Sequence, residues 1–239
     1  MTLAYSEAVI PSGSALVLVA RTARVLAALP DEPLAPEAAE RRDRLRATAD
    51  RDDFTAARWL ATAAHRALSD EPFAAGRLVQ RCDTCGGPHG RPQATSAGLH
   101  LSWSHAHGVV AAAAAPGRLG VDVETGMRRG DHPIATALSA TERRLLSESA
   151  DPEAAFLLAW TAKEALVKAG VAELDGFAGL TVLAGDARLV PRHGGLSLDA
   201  RRGDGYSAAA ATPGPALWRT LDAAGGLLPL PLRAVGGAA

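Results

Sequence analysis

Asp122 and Glu124 stand two residues apart in Gly120-Val121-Asp122-Val123-Glu124. In a strand, the period of two puts both carboxylates on one face and turns Val121 and Val123 into the core. Neighbouring carboxylates repel each other unless a cation lies between them. Hard oxygen ligands of this kind suit Mg²⁺, which keeps waters and shares its shell with substrate phosphates. An exposed strand face without any ligand is the alternative reading of the pentapeptide alone.

Some forty residues on, Trp160-Thr161-Ala162-Lys163-Glu164-Ala165-Leu166-Val167-Lys168 places Trp160, Glu164 and Lys168 at four-residue spacing, on one helical stripe. Glu four residues before Lys is also an ordinary helix-bracing pair. That pairing explains neither the Trp on the stripe nor the distribution of lysine. Of 25 basic residues only Lys163 and Lys168 are lysine. Lysine can be tuned to give up its proton, whereas arginine cannot readily do so.

Upstream, Ser102-Trp103-Ser104-His105-Ala106-His107 offers hydroxyls and imidazoles at a strand edge, suited to phosphate oxygens. No Gly-x-Ser-x-Gly elbow is present to argue for a serine hydrolase. Gly90-Arg91-Pro92 is a fixed turn carrying an anion-binding arginine. The only two cysteines form Cys82-x-x-Cys85, followed by Gly86, Gly87 and His89. Structural zinc normally takes four ligands and no second pair exists, so a turn-rich loop is the preferred reading over half a metal site or a redox pair.

The elements that must position these groups follow from local pattern. Residues 14–20 read as a strand and 36–48 as a surface helix. A stronger helix runs over about 50–68, with Phe54, Ala57, Leu60, Ala61 and Ala64 on one face. Residues 71–97 read as loop with a short strand at 78–80. Val109–Ala115, the Pro116-Gly117 turn and Leu119–Glu124 read as a hairpin, followed by a polar loop over 125–133. Ser139 or Thr141 caps a helix carrying Glu142. Asp151 and Pro152 open a long helix that Gly170 stops. Short strands are expected near 180–183, 196–200, 207–211 and 217–221. The order β-α-α-β-β, then again β-α-α-β-β, predicts an α+β fold of two similar α/β subdomains related by a pseudo-twofold, residues 1–115 and 116–239.

A chain of 239 residues can bury a substantial core, and with 48% hydrophobic but 4% aromatic residues it must do so mainly with Ala, Val and Leu. The net charge of −1 argues against nucleic-acid and membrane partners. The N-terminus lacks the pattern of a secretory peptide and no stretch makes a good spanning helix, so a cytoplasmic location is expected.

Gly-Val-Asp-Val-Glu followed by Trp-x-x-Lys-Glu-Ala-x-x-Lys resembles the 4′-phosphopantetheinyl transferases. The Gly-Arg-Pro and Ser-His elements resemble its Sfp-type branch, a single chain of two similar halves. The resemblance covers roughly residues 40–185. It implies that Asp122, Glu124 and Glu164 hold Mg²⁺ against the coenzyme A pyrophosphate, and that Lys168 contacts the phosphates and assists departure of 3′,5′-ADP. It further implies that Ser104 and His105 grip the 3′-phosphate, that Gly90, Arg91 and Pro92 lie along the nucleotide, and that Arg41 makes a second 3′-phosphate contact. Glu142, in Ser-Ala-Thr-Glu, matches a glutamate proposed as base in some members. The family often has Ser where this chain has Ala106 and Thr161; neither position touches the implied metal ligands.

The implied reaction moves 4′-phosphopantetheine from coenzyme A to a serine of an apo acyl or peptidyl carrier protein, as in polyketide and nonribosomal peptide synthesis, with the enzyme a monomer. Either Glu164 or Glu142 would take the serine proton, directly or through a metal-bound water. Two rival readings share parts of the pattern. Another Mg²⁺-dependent phosphotransferase or nuclease shares the acids but wants a basic surface. A non-catalytic coenzyme A or carrier-protein binding module has no need of all three acids.

Overall fold

The computed structural model describes residues 11, 13–82, 84–126 and 137–231. Strand β1 (Ala15–Arg21) leads into helices α1 (Thr22–Ala28), α2 (Pro36–Asp43) and α3 (Thr48–Arg66), then β2 (His100–Ala106) and β3 (Val109–Ala115). A second run follows: β4 (Gly120–Glu124), α4 (Ala140–Glu148) and α5 (Pro152–Lys168), three two-residue strands β5–β7 between 183 and 193, then β8 (Leu196–Gly203) and β9 (Tyr206–Thr212). Strands β10 (Ala216–Leu221) and β11 (Leu227–Pro229) close the described chain. The fold is α+β, with five α-helices among the described residues.

The two runs repeat one topology. In the first, β3 lies between β1 and β2; in the second, β9 lies between β4 and β8. Each first strand thus pairs antiparallel with its third, which pairs antiparallel with its second. The sequence division at 115/116 assigns β10 and β11 to the second half, yet both lie in the first sheet, where β10 runs parallel to β1.

One expectation is overturned. β3 and β4 do not form a hairpin: β3 pairs with β1 and β2, and β4 with β9. Pro116-Gly117 instead carries the chain from one sheet to the other. The true hairpin is β2–β3, closed by His107 and Gly108, whose φ values of 40° and 83° are those of a two-residue primed turn. Buried Asp53 of α3 holds that turn, accepting from the Gly108 N–H at 3.0 Å and from the Thr22 hydroxyl. Between 71 and 97 the expected strand is absent; a 3₁₀ turn at Ala75–Arg77 and a single Gln80–Pro92 bridge stand there. The polar loop expected over 125–133 falls mostly outside the described residues.

The sheets stack face to face with a helix layer on each outer side. α3 covers β1–β3 through Phe54, Ala57, Leu60, Ala61 and Ala64. α5 covers the second sheet through Leu158, Ala162, Ala165 and Leu166. Between the sheets, Val17, Ala111, Ala113, Val121, Val123, Ala208 and Ala210 make a thin apolar layer. Buried on both faces, β3 reads as an unbroken apolar run rather than an alternation. Among the described residues no helix is long and apolar enough to cross a membrane.

Candidate active site

Local rules build α5 and aim it. Asp151 caps its first turn, accepting from the Ala154 N–H at 3.0 Å, and Pro152 takes the first helical position. At the other end the Gly170 N–H bonds to the Val167 carbonyl and the Val171 N–H to the Leu166 carbonyl, a Schellman stop with Gly170 at φ 71°. The helix lies directly on Gly120: a Cβ there would stand 2.0 Å from the Ala165 carbonyl oxygen and 2.6 Å from the Ala169 nitrogen. Only glycine lets helix and strand approach so closely. The remaining outward positions of β4, Asp122 and Glu124, therefore lie under the stripe of Lys168, Glu164 and Trp160.

Lys168 donates to Asp122 Oδ1 at 2.6 Å, and the Ser104 hydroxyl donates to the same oxygen at 2.7 Å. Asp122 is buried, and its Oδ2 has no hydrogen-bond partner among the described residues. One strand position earlier, the Ser102 hydroxyl accepts from the Val121 N–H at 3.1 Å. Two serines of β2 thus sew the edge of the first sheet to β4, the edge of the second.

The acids feel one another. Burial and then Asp122 raise the Glu124 carboxyl from 4.5 to about 7, with Trp160 and Lys168 opposing and Glu164 adding to the rise. Burial and then Asp122 also raise Glu164, against Lys168. Their oxygens do not all come within 4.8 Å of one another; among the described residues that closeness is met only at Cys82, Cys85 and His89. A buried carboxylate oxygen without a donor, beside two carboxyls raised by burial and then by the Asp122 charge, nevertheless fits a hard divalent cation held by oxygen ligands.

Lys168 also lines a cleft of about 510 Å³ together with Arg81, Arg91, Pro92 and Arg118. The Arg91 guanidinium rests on Gly170, where a Cβ would stand 1.9 Å from it, so the helix stop doubles as its seat. A smaller cleft of about 250 Å³ is lined by Arg41, Arg58 and Arg81. Arg58 is stacked 3.3 Å above the Phe54 ring, and burial followed by Arg41 lowers its pKa to about 9. Arg41 therefore belongs to this second cleft, not to the one that Arg91 and Lys168 share.

Ser104 and His105 point to opposite faces of β2. Strand alternation sends the Ser104 hydroxyl to Asp122 and His105 to the opposite face. His105 lies on the exposed side of β2.

Glu142 is not a free base. It is fully buried in a capping box, accepting from the Ser139 N–H at 2.9 Å while its own N–H bonds to the Ser139 hydroxyl. Its remaining capacity is taken by the Val182 N–H at 2.8 Å and by Lys163 at 2.6 Å. Lys163, also fully buried, donates further to the Ala137 and Phe177 carbonyls. With every oxygen engaged and no solvent, this carboxylate is a structural anchor.

Sequence reasoning does not single out Arg81, Arg118 and His100, which line the larger cleft, or Arg58, which lines the smaller. Arginine is too frequent in this chain for any one to stand out, and only the fold gathers them.

Residues 118–197 match the family model described as the 4′-phosphopantetheinyl transferase superfamily. No curated protein matches the chain. The matched third of the chain contains Asp122, Glu124, Glu142, Glu164 and Lys168, whereas Gly90, Arg91, Pro92, Ser104 and His105 lie outside it.

Proposed function

We propose that this protein transfers 4′-phosphopantetheine from coenzyme A to a serine of an apo carrier protein, with Mg²⁺, as an Sfp-type enzyme. The observation that carries the reading is a cationic cleft, lined by Arg81, Arg91 and Arg118, that ends at Lys168 beside the buried, half-satisfied Asp122. A pyrophosphate is dense in negative charge, and such a cleft is its complement. The repeated strand order supports a single chain of two similar halves, 1–115 supplying the Arg91 wall and 116–239 the acids.

Asp122, Glu124 and Glu164 would hold Mg²⁺, which supplies neutralisation of pyrophosphate charge. The carrier serine oxygen bonds to the β-phosphorus as the bond to the bridging oxygen breaks and 3′,5′-ADP leaves. Lys168 offsets the charge gathering on the leaving phosphate. Glu164, raised by burial and by Asp122, takes the serine proton directly or through water. Arg41 in the second cleft and His105 on the far face of β2 remain candidates for the 3′-phosphate.

Incubation with coenzyme A, Mg²⁺ and an apo carrier protein tests the proposal. A carrier heavier by one phosphopantetheine, with 3′,5′-ADP released, is the expected result. An unmodified carrier, with several apo carriers tried and the protein folded, overturns it.

A further inference from the structure

The loop after Arg81 brings three soft ligands to one point. Cys82 Sγ, Cys85 Sγ and a His89 ring nitrogen lie within 4.8 Å of one another, and Cys85 Sγ is 3.1 Å from His89 Nε2. Neither cysteine is in a disulfide. From these residues we propose a Zn²⁺ site, distinct from the acids of β4 and α5.

The backbone is folded to hold this arrangement. The Gly86 N–H bonds to the Cys82 carbonyl and the Cys82 N–H to the Gly87 carbonyl, both at 2.9 Å, which curls the chain around the two thiols. Gly86 sits at φ 67° and Gly90 at φ 88°. At Gly87 a Cβ would meet the His89 ring at 3.2 Å and Cys85 Sγ at 3.3 Å; at Gly90 it would meet the Cys82 backbone at 3.1 Å. The three glycines keep clear the space in which the ligands converge.

Distances suit zinc. Bonds of about 2.3 Å to sulfur and about 2.0 Å to nitrogen place tetrahedral ligand atoms roughly 3.3–3.8 Å apart. Small side-chain rotations reach that from the observed cluster. Two thiolates and an imidazole select zinc over the magnesium that carboxylates prefer. A thiol redox pair needs only the two sulfurs, whereas His89 joins Cys82 and Cys85 here as a third potential ligand. Three protein ligands leave the fourth position to solvent at this exposed loop.

The metal would brace the loop that separates the two clefts. Arg81, Cys82, Arg91 and Pro92 line the larger, and Gly86 and Pro88 the smaller. Gln80 ties the far side, donating to the Gly90 carbonyl at 2.6 Å and accepting from Arg58 at 3.2 Å. That the brace sets the position of Arg91 for a nucleotide rests on the function proposed above; the metal site itself does not.

Metal content is the test, because it is read without any transfer assay. Full-length protein dialysed after purification should carry about one zinc per chain, and metal-stripped protein refilled with Co²⁺ should show thiolate-to-cobalt charge transfer with tetrahedral visible bands. Cys85→Ser and the double variant Cys82→Ser/Cys85→Ser should lose both signals while keeping the far-UV circular dichroism of wild type. Asp122→Asn should keep both. Absence of stoichiometric metal from wild type, retention of it in the double cysteine variant, or a Cys82–Cys85 disulfide in metal-free fresh protein overturns the proposal.

Discussion

Lys168 and Ser104 meet on a single oxygen, Asp122 Oδ1, at 2.6 and 2.7 Å. They come from different layers: Lys168 ends the helix above the second sheet, and Ser104 sits on the edge of the first. Asp122 is therefore where the two repeated units are joined and where the proposed chemistry is centred. Its replacement by the isosteric Asn should keep both contacts in some form while removing the charge. We expect Asp122→Asn to lower transfer on the order of 10²-fold or more, with a melting temperature close to wild type. Near-normal turnover in the folded variant would remove Asp122 from the mechanism.

The two lysines should respond differently to arginine. Lys168 has a side chain 29% exposed and, among the described residues, donates to Asp122, so a larger cation can be accommodated. Lys168→Arg should then leave stability little changed, while turnover falls roughly tenfold or more because the fork is broader and its charge more diffuse. Lys163 is sealed among Glu142 and two carbonyls. Lys163→Arg should melt lower, since a bulkier planar group has no room there, with turnover per folded molecule nearly preserved. Turnover and melting curves on both variants separate the roles.

Glu142 gives a further discrimination. Removing its charge leaves Lys163 buried without a counter-ion, a loss of about 3 kcal/mol, or roughly 6–12 °C of melting temperature in a chain of this size. Glu142→Gln should show that loss with kcat little altered at a temperature where it is folded. A collapse of kcat at unchanged stability would make Glu142 the base after all.

Gly120 is the narrowest point of the site. Gly120→Ala forces its methyl into the Ala165 carbonyl, so α5 must lift off β4. A destabilisation of about 1–3 kcal/mol is expected from overpacking. Lys168, one residue before Ala169, would move away from Asp122, so kcat should fall with stability. Unchanged activity and melting would mean that the helix slides without cost.

The raised Glu124 carboxyl makes a statement about pH. Because the folded state holds that proton more tightly than the unfolded chain, the folded state is penalised as pH climbs from 4.5 through about 7. In chelator, wild type should lose melting temperature across that window, and Glu124→Gln should lose less. Mg²⁺ should recover part of the loss in wild type only. Identical pH profiles for the two proteins would show that Glu124 is not strained by its neighbours.

Local grammar carried much of this into the sequence. Asp151, Pro152 and Gly170 mark the ends of α5 because caps depend on adjacent residues alone. The common face of Asp122 and Glu124 was legible for the same reason. Strand partners were not. An apolar run, a Pro-Gly turn and a second apolar run look identical whether the strands pair or pass into different sheets. β3 pairs with the adjacent β2 and with β1, and β4 with β9, the last two partners lying roughly ninety residues away. The enclosure of Glu142 was not legible, because Ser-x-x-Glu announces both a cap and a carboxylate, and its burial depends on Lys163 arriving from another helix. Helical spacing already set Lys168 on the stripe with Glu164, and Lys163 off it, but what Lys163 bonds to could be seen only in the fold.

The layer between the sheets has a consequence for how the molecule varies. Ala111 and Ala113 of β3, with Ala208 and Ala210 of β9, are fully buried there. Methyl groups thus act as shims that set the gap between the two sheets, and the Ser104–Asp122 contact spans the margin of that gap. A single added methylene among these alanines would widen it like a calliper opened by a grain of sand. Tolerance to substitution is then governed by tenths of an ångström in a place without any reactive group. The shape of the reaction centre is written partly in residues that chemistry alone would pass over.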